Sequence, residues 1–520
     1  MLAAAALAAS AACSGHGSSV QPPSPSFAID AGFLFGATVA GYQVEGADDA
    51  ADWKQWEEVS VDGGTCLEIL SCDQADNGPA FAYHYPADVA SAAALGLNAL
   101  RFSLEWERLE PTQPGPDGPS YDANALAYYH GLLGACADAG ITPMVTLTQG
   151  TLPNWLHEIR TGSGASSSEW YGGWRGLPGE APGPAATVVV DFGRFAGDMA
   201  KEFGSEVDLW LTEDLPMSNA TQAYLTGGFP PGGIDQLTDF QAAVINLAYA
   251  NAAAYDAIHA PGNPPALVGS ANLIDLYAPA PGVDADAGPQ VADRLDYIFG
   301  WLLPNAFIDG NLDTSFDSVF GGPGPTGGGV ALPGLAGRAD FFGLTYRGPV
   351  AVNAAQVVNA QPTPDGGSPL TLPGSVVDAG LPDASYTAAP ERESIDAQGL
   401  QIALIEAANH YPILPIYVTE ITLNEDAQPD VLRPAYIVQA VQAVQQAMGQ
   451  DGIQVKGIFY RSLVDAFEWQ DGFAPRTGLL RVDFTDPTRP RTPTNGAMAF
   501  GQVAKALGVT PAIQSQWVPQ

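Results

Sequence analysis

Residues 88–111 read DVASAAALGLNALRFSLEWERLEP. A helical pattern, Pro86–Gly96, stops at a glycine, and the apolar run Ala99–Ser103 (ALRFS) follows almost at once. A near-continuous apolar run is what a strand buried on both faces requires. Working outward, the same alternation recurs along the chain. Strand-like runs are expected at Phe33–Ala37, Ile141–Thr148, Val207–Thr212, Ala266–Ile274, Asp340–Tyr346, Ile413–Thr419 and Val455–Ser462. Helical stretches such as Asp191–Phe203, Asp239–Ile258 and Arg433–Met448 separate them. Eight buried runs with intervening helices predict an α/β fold of one kind, a closed (β/α)8 TIM barrel spanning residues 28–520. No short-period repeat is present, which argues against a solenoid.

Composition narrows the function. The chain has 520 residues, with 19 Lys plus Arg against 57 Asp plus Glu, a formal charge of −38. Phosphate binding needs clustered cations, so nucleic acid is not an expected partner. Electrostatic adhesion to an anionic membrane is equally unsuited. A 46% hydrophobic content supports a large core. The 59 Gly and 44 Pro imply many loops. Two Gly- and Pro-rich stretches, 310–337 and 352–394, read as loop insertions near the sixth strand.

The amino terminus reads as an export signal. Leu2–Ala12 is a run of Leu, Ala and one Ser that ends at Cys13, too short to span a bilayer. A Cys directly after such a run resembles a lipobox, which makes Cys13 a candidate lipid anchor. Residues 14–27 form a Ser- and Pro-rich tether. The expected location is the cell envelope as a lipoprotein, or a secreted or periplasmic protein, with membrane contact only through that anchor. Cys66 and Cys72 are a candidate disulfide in an oxidising compartment. Cys136 sits in a helical pattern and reads as a buried thiol. There is no CxxC pair and the six His are scattered, so neither a zinc site nor a cofactor is expected.

In a barrel, chemistry sits where strands end. There the sequence offers Gln43 after run one, Arg101 in run two, Gln149 after run three and Glu213-Asp214 after run four. Glu420 follows run seven, while Arg461 and Glu468-Trp469 belong to run eight. Carboxylates, amides, arginines and tryptophan on one rim suit a carbohydrate ligand. Hydroxyls take bidentate polar partners, and the apolar ring face takes an aromatic platform.

These blocks carry a resemblance. FLFGATVAGYQVEG, the 88–111 block, GITPMVTLTQGTLPNWL, WLTEDLP with YLTGGFPPG, IYVTEI and GIFYRSLVDAFEWQDGFAPRTGLLRVDF are similar, in order, to motifs of glycoside hydrolase family 1. That family comprises retaining β-glucosidases and β-galactosidases. The resemblance implies a pair of carboxylates, nucleophile and acid/base, about 5 Å apart. Glu420 falls on the nucleophile position. Arg101 falls on the arginine that keeps that nucleophile ionised. Gln43, Glu468 and Trp469 fall on positions that bind sugar hydroxyls.

Other positions depart from the pattern. Leu215 stands where the acid/base Glu belongs, and Asp214 where an Asn contacts the 2-hydroxyl. Gln149 and Gly150 replace a His-Trp pair. Thr345 and Arg347 replace an Asn and a Tyr, and Arg461 replaces the Trp that floors the sugar site. Leucine cannot protonate a leaving group, and general acid catalysis is typically worth about 10²–10⁴-fold. Two readings follow. In one, the chain hydrolyses β-linked glycosides by a modified retaining mechanism, with Glu420 as nucleophile, Arg101 in support, and Gln43, Gln149, Asp214, Arg347, Arg461, Glu468 and Trp469 holding substrate. In the other it is a catalytically impaired relative that binds carbohydrate or serves as an envelope scaffold, with Glu420 the hub of a salt-bridge network.

Overall fold

The computed structural model describes residues 27–519 except 47, 60, 63–64, 67–68, 162–167, 284, 286, 314–329 and 353–395. Eight parallel strands close into a barrel: β1 (Leu34–Val39), β2 (Ala99–Ser103), β3 (Thr142–Thr146), β4 (Leu209–Asp214), β5 (Leu267–Leu273), β6 (Phe342–Thr345), β7 (Ile416–Thr422) and β8 (Val455–Arg461). Each strand hydrogen-bonds its sequence neighbours, and β8 closes against β1. All eight expected runs are strands of this barrel. The seventh begins at Ile416 rather than Ile413, because Ile413 is exposed before the chain enters the barrel.

A helix follows each strand and covers the outside: α1 (Phe81–Leu95), α2 (Ala123–Ala139), α3 (Thr187–Phe203), α4 (Leu237–Ile258), α5 (Leu302–Asp309), α6 (Ala397–His410), α7 (Leu432–Gln450) and α8 (Asn495–Ala506). Sequence sets their faces and ends. In α3, Val188, Val189, Phe192, Phe195, Met199 and Phe203 recur at helical spacing and are all buried, so one stripe faces the strands. Asp122 caps α2 by accepting from the amides of Asn124 and Ala125, and Gly140 ends it in the left-handed conformation. Inside the barrel, Met144, Leu209, Leu211, Phe341, Tyr417 and Phe459 interdigitate as a separate apolar plug. The polar site must therefore lie above this plug, at the strands' carboxyl ends.

Register places the candidate residues at one level. Thr38 of β1 pairs with Arg101 on one side and Arg461 on the other, and Thr345 pairs with Glu420. Two irregularities break the alternation. In β4, Leu211 and Asp214 pair with Gly269 and Ala271 of β5, which leaves one extra residue in β4. In β7, Val418 and Ile421 pair with Ile458 and Tyr460 of β8, again with one extra. A bulge re-aims side chains beside it. Both lie where Asp214 and Glu420 sit.

Of the cysteines, Cys136 is buried and free, its thiol pushed up to about 12 by desolvation. Cys72 is disulfide-bonded, and the side chain of Cys66 lies outside the described residues. The leader with Cys13, the tether to residue 26, and most of both insertions also lie outside them. The near edge of the first insertion is a small antiparallel pair, Asn311–Leu312 with Val330–Ala331. No helix among the described residues is long and apolar enough to cross a membrane.

Candidate active site

Strand β1 leads into a short helix, Gly41–Glu45, that buries Gln43 fully. The close approach needs glycine at 41, since a Cβ there would lie 2.1 Å from Glu105 Oε1. Gln43 Nε2 donates to the carbonyl of Phe467, and Phe467 N–H donates to the Gln43 carbonyl at 2.9 Å. The first and last strand-end loops are thereby joined.

From β2, Arg101 reaches across the barrel. Nε donates to Thr146 Oγ1 at 3.2 Å, Nη1 to the Thr419 carbonyl at 3.3 Å, and Nη2 pairs with Asp214 Oδ1. Its direct partner is thus Asp214, not Glu420. The β4 bulge explains this, because it turns Asp214 inward at the level of Arg101.

Glu420 is buried, with no hydrogen bond to either carboxylate oxygen among the described residues. Two cations bracket it. Arg347 Nη2 lies 3.5 Å and Arg461 Nε 4.0 Å from Oε1. Desolvation raises its pKa, the charges of Arg461, Arg347 and Arg101 oppose that shift, and neighbouring Asp214 adds to it. Arg347 is fixed through its backbone, whose N–H donates to Asp275 Oδ1 at 3.1 Å.

Arg461 also spans the next pair of residues. Its Nη2 pairs with Glu468 Oε2 and lies 3.4 Å from Gln43 Oε1. Thr477 Oγ1 donates to the other Glu468 oxygen at 3.1 Å. One guanidinium therefore links the two side chains that the sequence motifs mark as hydroxyl readers.

Leu215 is buried at the end of β4 in the left-handed conformation, φ 47°. Its N–H donates to the Ala271 carbonyl, and Pro216 starts the helix Pro216–Tyr224 directly after it. Neighbouring Glu213 is buried with both oxygens unpartnered among the described residues. Burial pushes its carboxyl well above the usual range. Among the described residues it makes no ion pair, so it stands apart from the Arg101–Asp214–Glu420 cluster.

Trp469 lies in an aromatic cage. It stacks on Tyr42 (6.0 Å, 6°) and tilts against Trp53 (4.4 Å) and Phe229 (5.2 Å). Gly150 makes room for it, since a Cβ there would sit 3.1 Å from the indole and φ is +85°. The Gln149 side chain makes no hydrogen bond to another described residue, so its amide stays free for a ligand. Among the described residues no cluster of His, Cys, Asp or Glu is arranged to hold a metal ion.

The profile of glycosyl hydrolase family 1 matches residues 26–509. The chain belongs to glycosyl hydrolase family 1. It is 27% identical to a beta-galactosidase of Sulfolobus acidocaldarius, over 92% of this chain and 95% of that one. It is 28% identical to beta-glucosidase 2 of Oryza sativa subsp. japonica, over 91% of each. The beta-glycosidase structure from Pyrococcus horikoshii matches at a TM-score of 0.71 and 24% identity, covering 95% of this chain and 99% of that one, and has the same fold.

Within this family 1 barrel, Gln43, Arg101, Asp214, Arg347, Glu420, Arg461 and Glu468 converge on one network. Gln149 lies outside its hydrogen bonds, and Trp469 is held by aromatic contacts. Sequence reading missed Thr146, Thr419, Asp275 and Thr477, which anchor the charged groups, and both bulges. Thr146, Thr419 and Asp275 lie in or just after apolar runs and were open to notice, but Thr477 sits in a loop and no residue type marks a bulge.

Proposed function

We propose that this chain is a catalytically impaired family 1 member that recognises carbohydrate and does not hydrolyse ordinary β-glucosides. The observation that carries this reading is Arg461, whose guanidinium holds Gln43 and Glu468 and stands 4.0 Å from Glu420. A cation already fills the hydrogen-bonding positions that a sugar hydroxyl would need. A ligand entering the barrel mouth must first displace it.

Leu215 supports the same reading. Retaining hydrolysis needs a second carboxyl group about 5–5.5 Å from the nucleophile, able to give and take a proton. Of the two acids nearby, Asp214 is held by Arg101 and Glu213 stands apart from the cluster. The site keeps its charges balanced, with Asp214, Glu420 and Glu468 set against three arginines. Removing one partner of such a set is strongly destabilising, so retention of Glu420 is explained without turnover.

A second reading is favoured by one observation, that the charges of Arg461, Arg347 and Arg101 all favour the ionised form of Glu420 that a nucleophile needs. Glu420 would then attack glycosides whose aglycone leaves without protonation. The location we propose is the cell envelope, supported by the Leu2–Ala12 run before Cys13. Hydrolysis of dinitrophenyl β-glycosides tests the main reading. The natural chain is expected to show none, and Leu215→Glu combined with Arg461→Trp to gain it. Turnover by the natural chain that Glu420→Gln abolishes would favour the second reading.

A further inference from the structure

We propose that a groove on the outer wall, between α6, α7 and the C-terminal helix Pro511–Trp517, docks a neutral oligosaccharide. The groove has a volume of about 360 Å³ and is walled by Gln398, Gln401, Gln439, Gln442, Gln446 and Gln514. Its apolar contacts come from Ala443 and Val518. It shares no residue with the barrel mouth, so the inference does not rest on the function proposed above.

The glutamines are placed by helical spacing. Positions 439, 442 and 446 fall on one face of α7, and 398 and 401 on one face of α6. Gln445 shows what a structural glutamine does in this fold. It is buried, its Nε2 donates to the Phe27 carbonyl at 2.6 Å, and its Oε1 accepts from Val509 N–H at 2.7 Å. The groove residues differ. Gln514 donates to Gln442 at 3.5 Å, and Gln401 to Asp451 at 2.9 Å. The side chains of Gln398, Gln439 and Gln446 make no hydrogen bond to another described residue. Each offers two N–H donors and a carbonyl acceptor to whatever enters.

The chemistry selects the ligand. In a chain of charge −38, none of the lining side chains is charged. An ionic ligand would find no counter-charge there. A hydroxyl is both donor and acceptor, and an amide satisfies both roles. A protein partner, or a second copy of this chain, would want an apolar or arginine anchor at the centre of its contact, and six of the eight residues lining this groove are glutamines. Length comes from its neighbour. Val518 also lines a second groove of about 330 Å³ with Trp517, Pro519, Pro434 and Asp430, whose carboxylate is taken up by the N–H groups of Asn495 and Gly496. The Trp517 indole is oriented by donating to Gln502 at 2.9 Å. An amide ladder continued past Val518 to an oriented indole fits several sugar rings in a row, hydroxyls on the amides and a ring face on the tryptophan.

Titration calorimetry of the full chain with cellohexaose, xylohexaose and mannohexaose tests this. Saturable binding of at least one is expected. It should weaken about tenfold or more in Gln439→Ala/Gln446→Ala and in Trp517→Ala, with Tm unchanged in the first variant, and persist in Gln149→Ala at the barrel mouth, which leaves the ion pairs whole. No binding of any of the three would overturn the proposal. So would binding that survives both groove variants, and its loss in Gln149→Ala would put the sugar in the barrel mouth. A dimer in sedimentation that the double glutamine variant dissociates would also overturn it, by making the groove a self-interface.

Discussion

Two sets of buried carboxyl groups lie at the carboxyl ends of different strands, one at β4, β7 and β8 and the other after β1 and β2, and they are neutralised in opposite ways. Asp214, Glu420 and Glu468 face Arg101, Arg347 and Arg461, one cation per acid. Glu45, Asp48, Glu105 and Glu107 share Arg108, which lies 3.1 Å from Glu45 and 3.7 Å from Asp48. The Ala50 N–H donates to Asp48 at 3.1 Å, and hydroxyls supply further partners. Tyr128 and Tyr129 donate to Glu45, and Ser103 and Thr151 to Glu105. One cation cannot offset all of these buried acids, and burial favours the protonated form of three of them. Desolvation raises Glu45 to about 8 and Asp48 to about 6, and pushes Glu107 well above the usual range. Proton balance makes stability depend on pH.

Breaking the arginine set gives the largest effect. Arg461→Ala leaves Glu468 and Glu420 without their shared cation, and the expected loss is about 3–5 kcal/mol in denaturant unfolding. Replacing Arg461 and Glu468 together by Met and Gln should recover most of it. Equal losses in the single and double variants would show that the ion pairs do not set the cost.

The proton-balanced set responds to pH. Between the ordinary carboxyl range and about pH 8 the folded chain keeps protons that the unfolded chain has released. Stability is therefore greatest near pH 5 and falls as pH climbs towards 8. A Tm drop of a few degrees over that interval is expected, with a flatter profile in Glu45→Gln. A Tm that rises over the same interval would contradict the assignment.

The smallest effect concerns the aromatic cage beside the arginine set. Gly150→Ala meets the Trp469 indole and a positive φ, and about 1 kcal/mol of stability should be lost. Quenching and shift of tryptophan emission would report whether the cage around Trp469 has opened.

The barrel was legible from the sequence because a buried parallel strand has to be nearly continuous in apolar residues, and all eight runs obeyed that rule. The positions of Arg347 and Arg461 beside Glu420 were legible because neighbouring motif residues pinned their register. Partners were harder to read. Arg101 pairs with Asp214 because β4 carries one extra residue, and a bulge leaves no mark in composition or period. The self-contained Arg461–Glu468–Gln43 contact joins residues 418 positions apart, and its geometry depends on how the first and last strands close. The antiparallel pair His157–Thr161 with Ser168–Gly172 was also missed, since its strands are short and mixed in polarity.

In the function we propose, Glu420 is held by arginines and does not act as a nucleophile. Intact-mass measurement after incubation with activated 2-fluoro glucoside, galactoside, fucoside and glucuronide tests this. An unmodified chain is expected with all four. A stable adduct mapped to Glu420 with any of them would contradict it.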